Sequence, residues 1–146
     1  MSENIEHLDL SALAELKEVM EEEFDILLET FLHDSAERVV QIKEAAEGRD
    51  PEALSRAAHS FKGSCTNIGV PVLAQLCMEA EQKGKKGELE GIDELVLSIE
   101  QAFSEVTKLL KEQLSYNFFS LLFPSNLYFT FSTFLLTQIV CQVKIG

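Results

Sequence analysis

The sequence predicts an all-α fold: an up-and-down antiparallel four-helix bundle preceded by a short extra N-terminal helix. Three observations predict it. Apolar residues recur at three- and four-residue intervals from Leu10 to Leu110, the spacing of one helical face. Strand signals are nearly absent before Ser115. The breaks between long periodic segments are short, which makes consecutive helices antiparallel neighbours.

The elements follow in order. Leu10, Leu13, Leu16 and Met20 space a short opening helix, with Asp9 or Ser11 as its cap. Phe24, Leu27, Leu28, Phe31, Val39, Ile42 and Ala46 keep helical spacing over about six turns. Gly48-Arg49-Asp50-Pro51 ends that helix and starts the next, since Asp50 can cap and Pro51 suits a first helical position. Leu54, Ala58, Phe61, Cys65 and Ile68 form the core stripe of the third helix, and Gly69-Val70-Pro71 interrupts it. Val72, Leu73, Leu76, Cys77 and Ala80 mark a fourth helix, closed by Lys83-Gly84-Lys85-Lys86-Gly87. The last begins near Gly91 and turns Ile92, Leu95, Ile99, Phe103, Val106, Leu109 and Leu110 inward.

The chain has 146 residues, enough for one self-sufficient core. Its 12 basic against 25 acidic residues argue against nonspecific nucleic-acid binding, which depends on Lys and Arg contacts to phosphates. Cys65, Cys77 and Cys141 have neither disulfide nor metal-site spacing. The polar, acidic Met1-Ser2-Glu3-Asn4 lacks the features of a signal peptide, and a reducing cytoplasm is the expected location. No glycine-rich nucleotide loop is present, so a stand-alone kinase is not expected. A hydrolase built on His59 lacks a matched nucleophile or acid, and no metal site is expected from His7, His33, His59 or the cysteines.

The chemistry concentrates on one face of the third helix. Residues advance about 100° each around a helix. If Leu54, Ala58, Phe61, Cys65 and Ile68 face the core, then Ser55, His59, Lys62, Gly63 and Thr66 form a second stripe roughly 120° away. His59 is therefore expected at the surface in mid-helix, beside an ammonium group and over bare backbone. Taken singly, each has an ordinary explanation: a surface histidine, a solvated lysine, a tolerated glycine. Yet glycine inside a helix costs about 1 kcal/mol relative to alanine, and clearance for an incoming group at His59 would account for it.

His59-Ser60-Phe61-Lys62-Gly63-Ser64 resembles the signature of the histidine-containing phosphotransfer (HPt) domain: a His, two residues, then Lys-Gly-Ser on a bundle helix. Ile68-Gly69, the run from Leu73 to Cys77, Phe31-Leu32 and the approach from Asp50 to His59 extend the likeness over roughly residues 8 to 112. The resemblance implies that His59 carries a phosphoryl group between receiver-domain aspartates. Lys62 would stabilise the phosphoryl oxygens, and Gly63 would give the partner clearance. Ser64 would supply either a hydrogen bond or helix packing, since its hydroxyl points off the His59 stripe. Glu81 matches the position of a Gln or Glu that orients the ring and fixes its tautomer; alone it reads equally as a solvated acid. Arg56 would add to a basic rim. Lys83, Lys85 and Lys86 either offset the helix dipole or dock an acidic receiver pocket.

The same likeness implies a monomeric phosphorelay intermediate with no cofactor of its own. Its partners would be the receiver domains of response regulators and of a hybrid sensor histidine kinase, which bring the magnesium and the catalytic aspartates. The alternative is a helical adaptor that kept the bundle without the chemistry.

Residues 1–114 are read as this bundle and 115–146 as an apolar tail. Every residue from Gln113 to Val143 is uncharged, and six of the ten Phe and both Tyr lie beyond Leu114. Residues 118–141 are long enough to cross a bilayer, though Pro124-Ser125-Asn126 interrupts them. A membrane anchor, an element added to the bundle and a non-native extension are the three readings of the tail.

Overall fold

A computed structural model of the chain describes residues 7–122, with side chains through Leu114. The described residues fall into helices and no strand: α1 (Leu10–Met20), a 3-10 turn over Glu21–Glu23, α2 (Phe24–Glu47), α3 (Pro51–Ile68), α4 (Pro71–Lys86) and α5 (Ile92–Leu122). This is the expected four-helix arrangement with its short leading helix.

The start signals act as their chemistry dictates. Asp9 caps α1 by accepting from the Ala12 amide at 3.1 Å. Asp50 does the same for α3, accepting from Ala53 at 3.1 Å with Pro51 in the first turn. Each cap satisfies an amide that the helix cannot pair internally. Gly69 ends α3 at φ 89°, a left-handed conformation that a Cβ would strain. Its carbonyl accepts from the Asp9 amide at 2.8 Å, which ties the start of α1 to the α3–α4 turn.

α4 continues through Lys86 and ends at Gly87, φ 69°, the last residue of the expected closing run. The last helix runs past Leu114 to Leu122. Compactness divides the chain after Leu110, so the first compact unit is residues 1–110 and the second begins at Lys111. The tail beyond Leu122, including Pro124 and most of 118–141, lies outside the described residues. No described helix is long and apolar enough to cross a membrane.

Within the first unit the core follows the stripe predicted for α3, whereas Leu10 of the α1 stripe is exposed. Leu54, Ala58, Phe61, Cys65 and Ile68 of α3 are all buried. Phe61 meets Phe103 of α5 edge to face, with ring centroids 6.2 Å apart. A buried side chain of this size contributes about 2 kcal/mol by area alone. Val96 and Ala102 join the inward face of α5, whereas Leu109 is half-exposed. Ion pairs from Lys43 of α2 to Glu100 (3.1 Å) and from Arg49, in the turn after α2, to Asp93 (2.9 Å) tie this stretch to α5 in antiparallel order, because the later residue meets the earlier α5 residue.

Candidate functional site

The α3–α4 hairpin builds the site. Its helices approach closely where Gly84 faces the first turns of α3. A Cβ on Gly84 would lie 2.6 Å from the Pro51 carbonyl oxygen, 2.7 Å from the Ser55 amide nitrogen and 2.9 Å from the Ser55 Cβ. Only a missing side chain permits that approach. One turn along each helix from this contact stand His59 on α3 and Glu81 on α4, so the backbone proximity sets their distance.

His59 is exposed, as the periodicity predicts, with 69% of its side chain accessible. Glu81 is 1% accessible. Its Oε2 lies 2.9 Å from His59 Nδ1 and 2.8 Å from Lys85 Nζ, and its Oε1 lies 2.6 Å from Lys62 Nζ. The carboxylate is thus an anionic hub, hydrogen-bonded to the His59 ring and ion-paired with two ammonium groups. Lys62 beside it, then Lys85, outweigh the effect of burial and, with His59, lower its pKa from 4.5 to about 2. Because the folded value lies below the ordinary one, the ionised group stabilises the fold above about pH 4.5. That contribution is lost as pH falls toward 2.

An ionised carboxylate accepts hydrogen bonds and donates none. Nδ1 of His59 must therefore carry the proton, and in the neutral ring Nε2 keeps its lone pair. The arrangement presents one nucleophilic nitrogen on an exposed ring whose other nitrogen is fixed from below.

Gly63, one turn from His59, has open space around it: a Cβ there would meet nothing within 4 Å. Packing within the chain does not require this glycine. Ser64 turns its hydroxyl to the Ser60 carbonyl at 3.4 Å, a bond within α3 directed away from the ring. Arg56 pairs with Glu52 at 2.9 Å and lines an open groove between α2 and α3 together with Arg38, Gln41 and Ser60, the neighbour of His59. Lys83 donates to the Glu90 carbonyl at 2.7 Å and so braces the turn after α4. Lys86 is exposed in the last turn.

Of the three lysines, Lys85 alone reaches the hub, a role the sequence reading gave to none of them. The Glu81-to-Lys85 spacing of four residues was the available signal. Gly84 was also missed as a packing contact. Cys65 and Cys77 are both fully buried. A hydrogen bond donated by the Cys65 thiol to Cys77, then burial, pushes that thiol well above its ordinary range, which suits small apolar fillers rather than metal ligands. His33 does gather Asp34 and Glu37, each 3.5 Å from its Nδ1, but on the exposed face of α2.

Residues 26–112, more than half of the chain, match the family model of the Hpt domain. The chain is 33% identical over 81 residues to the sensor protein TorS of Escherichia coli (strain K12). That match takes in 55% of this chain and 9% of TorS, so the chain spans only a small part of that relative's length. Among solved structures, it is similar to histidine-containing phosphotransfer protein B (HptB) from Pseudomonas aeruginosa PAO1. The TM-score is 0.75 and the identity 40%, over 77% of this chain and 97% of that one.

Proposed function

Because this chain belongs to the Hpt domain family, whose members are phosphocarriers that engage receiver domains, we propose that it carries its phosphoryl group on Nε2 of His59. The chain is a phosphorelay intermediate of two-component signalling. The residue-level reading rests above all on the 2.9 Å contact of His59 Nδ1 with the buried Glu81 carboxylate, which leaves Nε2 as the free nucleophile.

In the forward step Nε2 bonds to phosphorus as the acyl-phosphate bond to a receiver aspartate breaks, and the aspartate leaves as a carboxylate. The ring becomes positively charged, with its Nδ1 proton directed at Glu81. The reverse step returns the phosphoryl group to another receiver aspartate. Positioning and charge stabilisation are the main needs of such a transfer. Lys62 supplies positive charge beside the ring, while magnesium and the acceptor aspartates come from the partner.

The donor is the receiver of a hybrid sensor histidine kinase and the acceptor that of a response regulator. Arg56, Lys83 and Lys86 form the basic rim of the docking face, and the protein acts as a cytoplasmic monomer. The test is incubation of the full chain with phosphorylated receiver domains. An acid-labile, base-stable label on the chain supports the reading; no label from any of a broad receiver panel favours the helical adaptor.

Open space at Gly63 makes a second expectation sharp. Gly63→Leu should keep the helical circular dichroism of the parent and slow transfer from a phosphorylated receiver roughly 10- to 100-fold, the scale of an ångström's misplacement of reacting groups. Labelling of His59 by the small donor phosphoramidate should be unchanged. Equal loss with both donors would show that the residue acts on the ring and not on the partner.

A further inference from the structure

The oxygen of Glu81 that receives the His59 proton is also the one held by Lys85. Lys85 Nζ stands 2.8 Å from Oε2 and His59 Nδ1 stands 2.9 Å from the same atom. Lys62 takes the other oxygen at 2.6 Å, the shortest contact of the three. A glutamate side chain has three rotatable bonds, and an ion pair on one oxygen alone leaves the carboxylate free to turn about that contact. Lys62 by itself would draw both oxygens toward α3's lysine and away from the ring. Lys85, one turn along α4 from Glu81, opposes that pull.

We propose that Lys85 is a positioning residue for phosphotransfer. It clamps Glu81 Oε2 against His59 Nδ1, so that the proton stays on Nδ1 and the lone pair on Nε2. The two lysines hold the carboxylate from opposite helices, and the exposed ring acquires a fixed orientation through its Nδ1 contact with Glu81. The side chain of Glu81 is 1% accessible and that of Lys85 57%, so the clamp closes from the solvent side over a buried anion. The role differs from a docking lysine, which would leave Glu81 and meet the partner. The consequence for transfer rests on the phosphocarrier reading; the clamp itself does not.

The experiment compares the full-length parent with Lys85→Met and Lys85→Arg. Methionine keeps the aliphatic length and removes the charge; arginine restores it. The first readout is the imidazole tautomer of His59, by long-range proton–nitrogen correlation in 15N-labelled protein near neutral pH. Lys85→Met should lower the Nδ1–H population, and Lys85→Arg should restore it. The second readout is transfer from a phosphorylated receiver: kcat should fall several-fold in Lys85→Met, with KM for the receiver nearly unchanged and recovery in Lys85→Arg. An unchanged tautomer overturns the proposal. So does a rise in KM alone, which would make Lys85 a docking residue. If the parent accepts no phosphoryl group from any receiver, the functional reading fails, while the tautomer measurement still decides the clamp.

Discussion

Replacing His59 by glutamine should reduce phosphoryl label from a phosphorylated receiver to background while leaving the fold in place. The chemical half follows from the ring. Nε2 is the nitrogen left with a lone pair once Nδ1 donates to the ionised Glu81, and a glutamine amide offers no comparable nucleophile. The structural half follows from exposure. With 69% of the His59 side chain in solvent, the contact at stake is its hydrogen bond to buried Glu81, for which a glutamine amide can donate instead. Glutamine is at least as good a helix former as histidine. Circular dichroism should therefore match that of the parent, and stability should change by no more than about 1 kcal/mol, the scale of one hydrogen bond. His33 serves as the internal control. It is also exposed, on α2, but its Nδ1 sits between Asp34 and Glu37 at 3.5 Å, with no buried carboxylate to fix its tautomer. His33→Gln should retain full label. Label that survives in His59→Gln and disappears in His33→Gln would move the phosphoryl site to α2 and overturn the assignment.

The contrast between the two histidines shows what sequence could and could not supply. Helix order and the outward direction of His59 were legible, because both depend on periodicity and on local start and stop chemistry at Asp9, Asp50, Pro51 and Gly69. Burial of Leu54, Phe61 and Cys65 was legible for the same reason. Glu81 was reachable only through family likeness. Nothing in its own neighbourhood, on a charged helix, distinguishes a buried acid from a solvated one, since its burial is produced by α3 lying against it. Lys85 and Gly84 failed differently. Lys83-Gly84-Lys85-Lys86-Gly87 reads as a basic, glycine-rich helix end, and local chemistry supports that reading. Only the facing helix reveals that Gly84 is a contact, whereas the pairing of Lys85 with Glu81, four residues back on the same helix, had a local signal that the basic run masked. Pairwise approach between residues some 20 to 30 positions apart leaves no mark on periodicity.

That approach is the basis of the second large effect. Gly84→Ala should destabilise the domain, although alanine is the better helix former by about 1 kcal/mol. The added Cβ would stand 2.6 Å from the Pro51 carbonyl oxygen and 2.7 Å from the Ser55 amide nitrogen. Both are backbone atoms of the first turns of α3, where Asp50 and Pro51 already fix the chain. They cannot rotate aside as a flexible side chain would. Overpacking of this kind costs about 1–3 kcal/mol, and contact with backbone places it at the upper end. A net loss of about 2 kcal/mol should lower the thermal midpoint by roughly 10 °C. The mirror experiment lies on the opposite helix. Gly63→Ala adds the same methyl group into open space, so there the propensity gain stands alone and the midpoint should rise. Opposite signs for one chemical change on two packed helices would separate a glycine kept for the protein's own packing from one with no such need. Gly84→Ala should also slow phosphotransfer beyond what the lost stability explains, because pushing α4 from α3 moves Glu81 off His59 Nδ1. A Gly84→Ala protein with an unchanged midpoint would show that the α3–α4 contact yields, and would remove the backbone approach as the device that sets the His59–Glu81 distance.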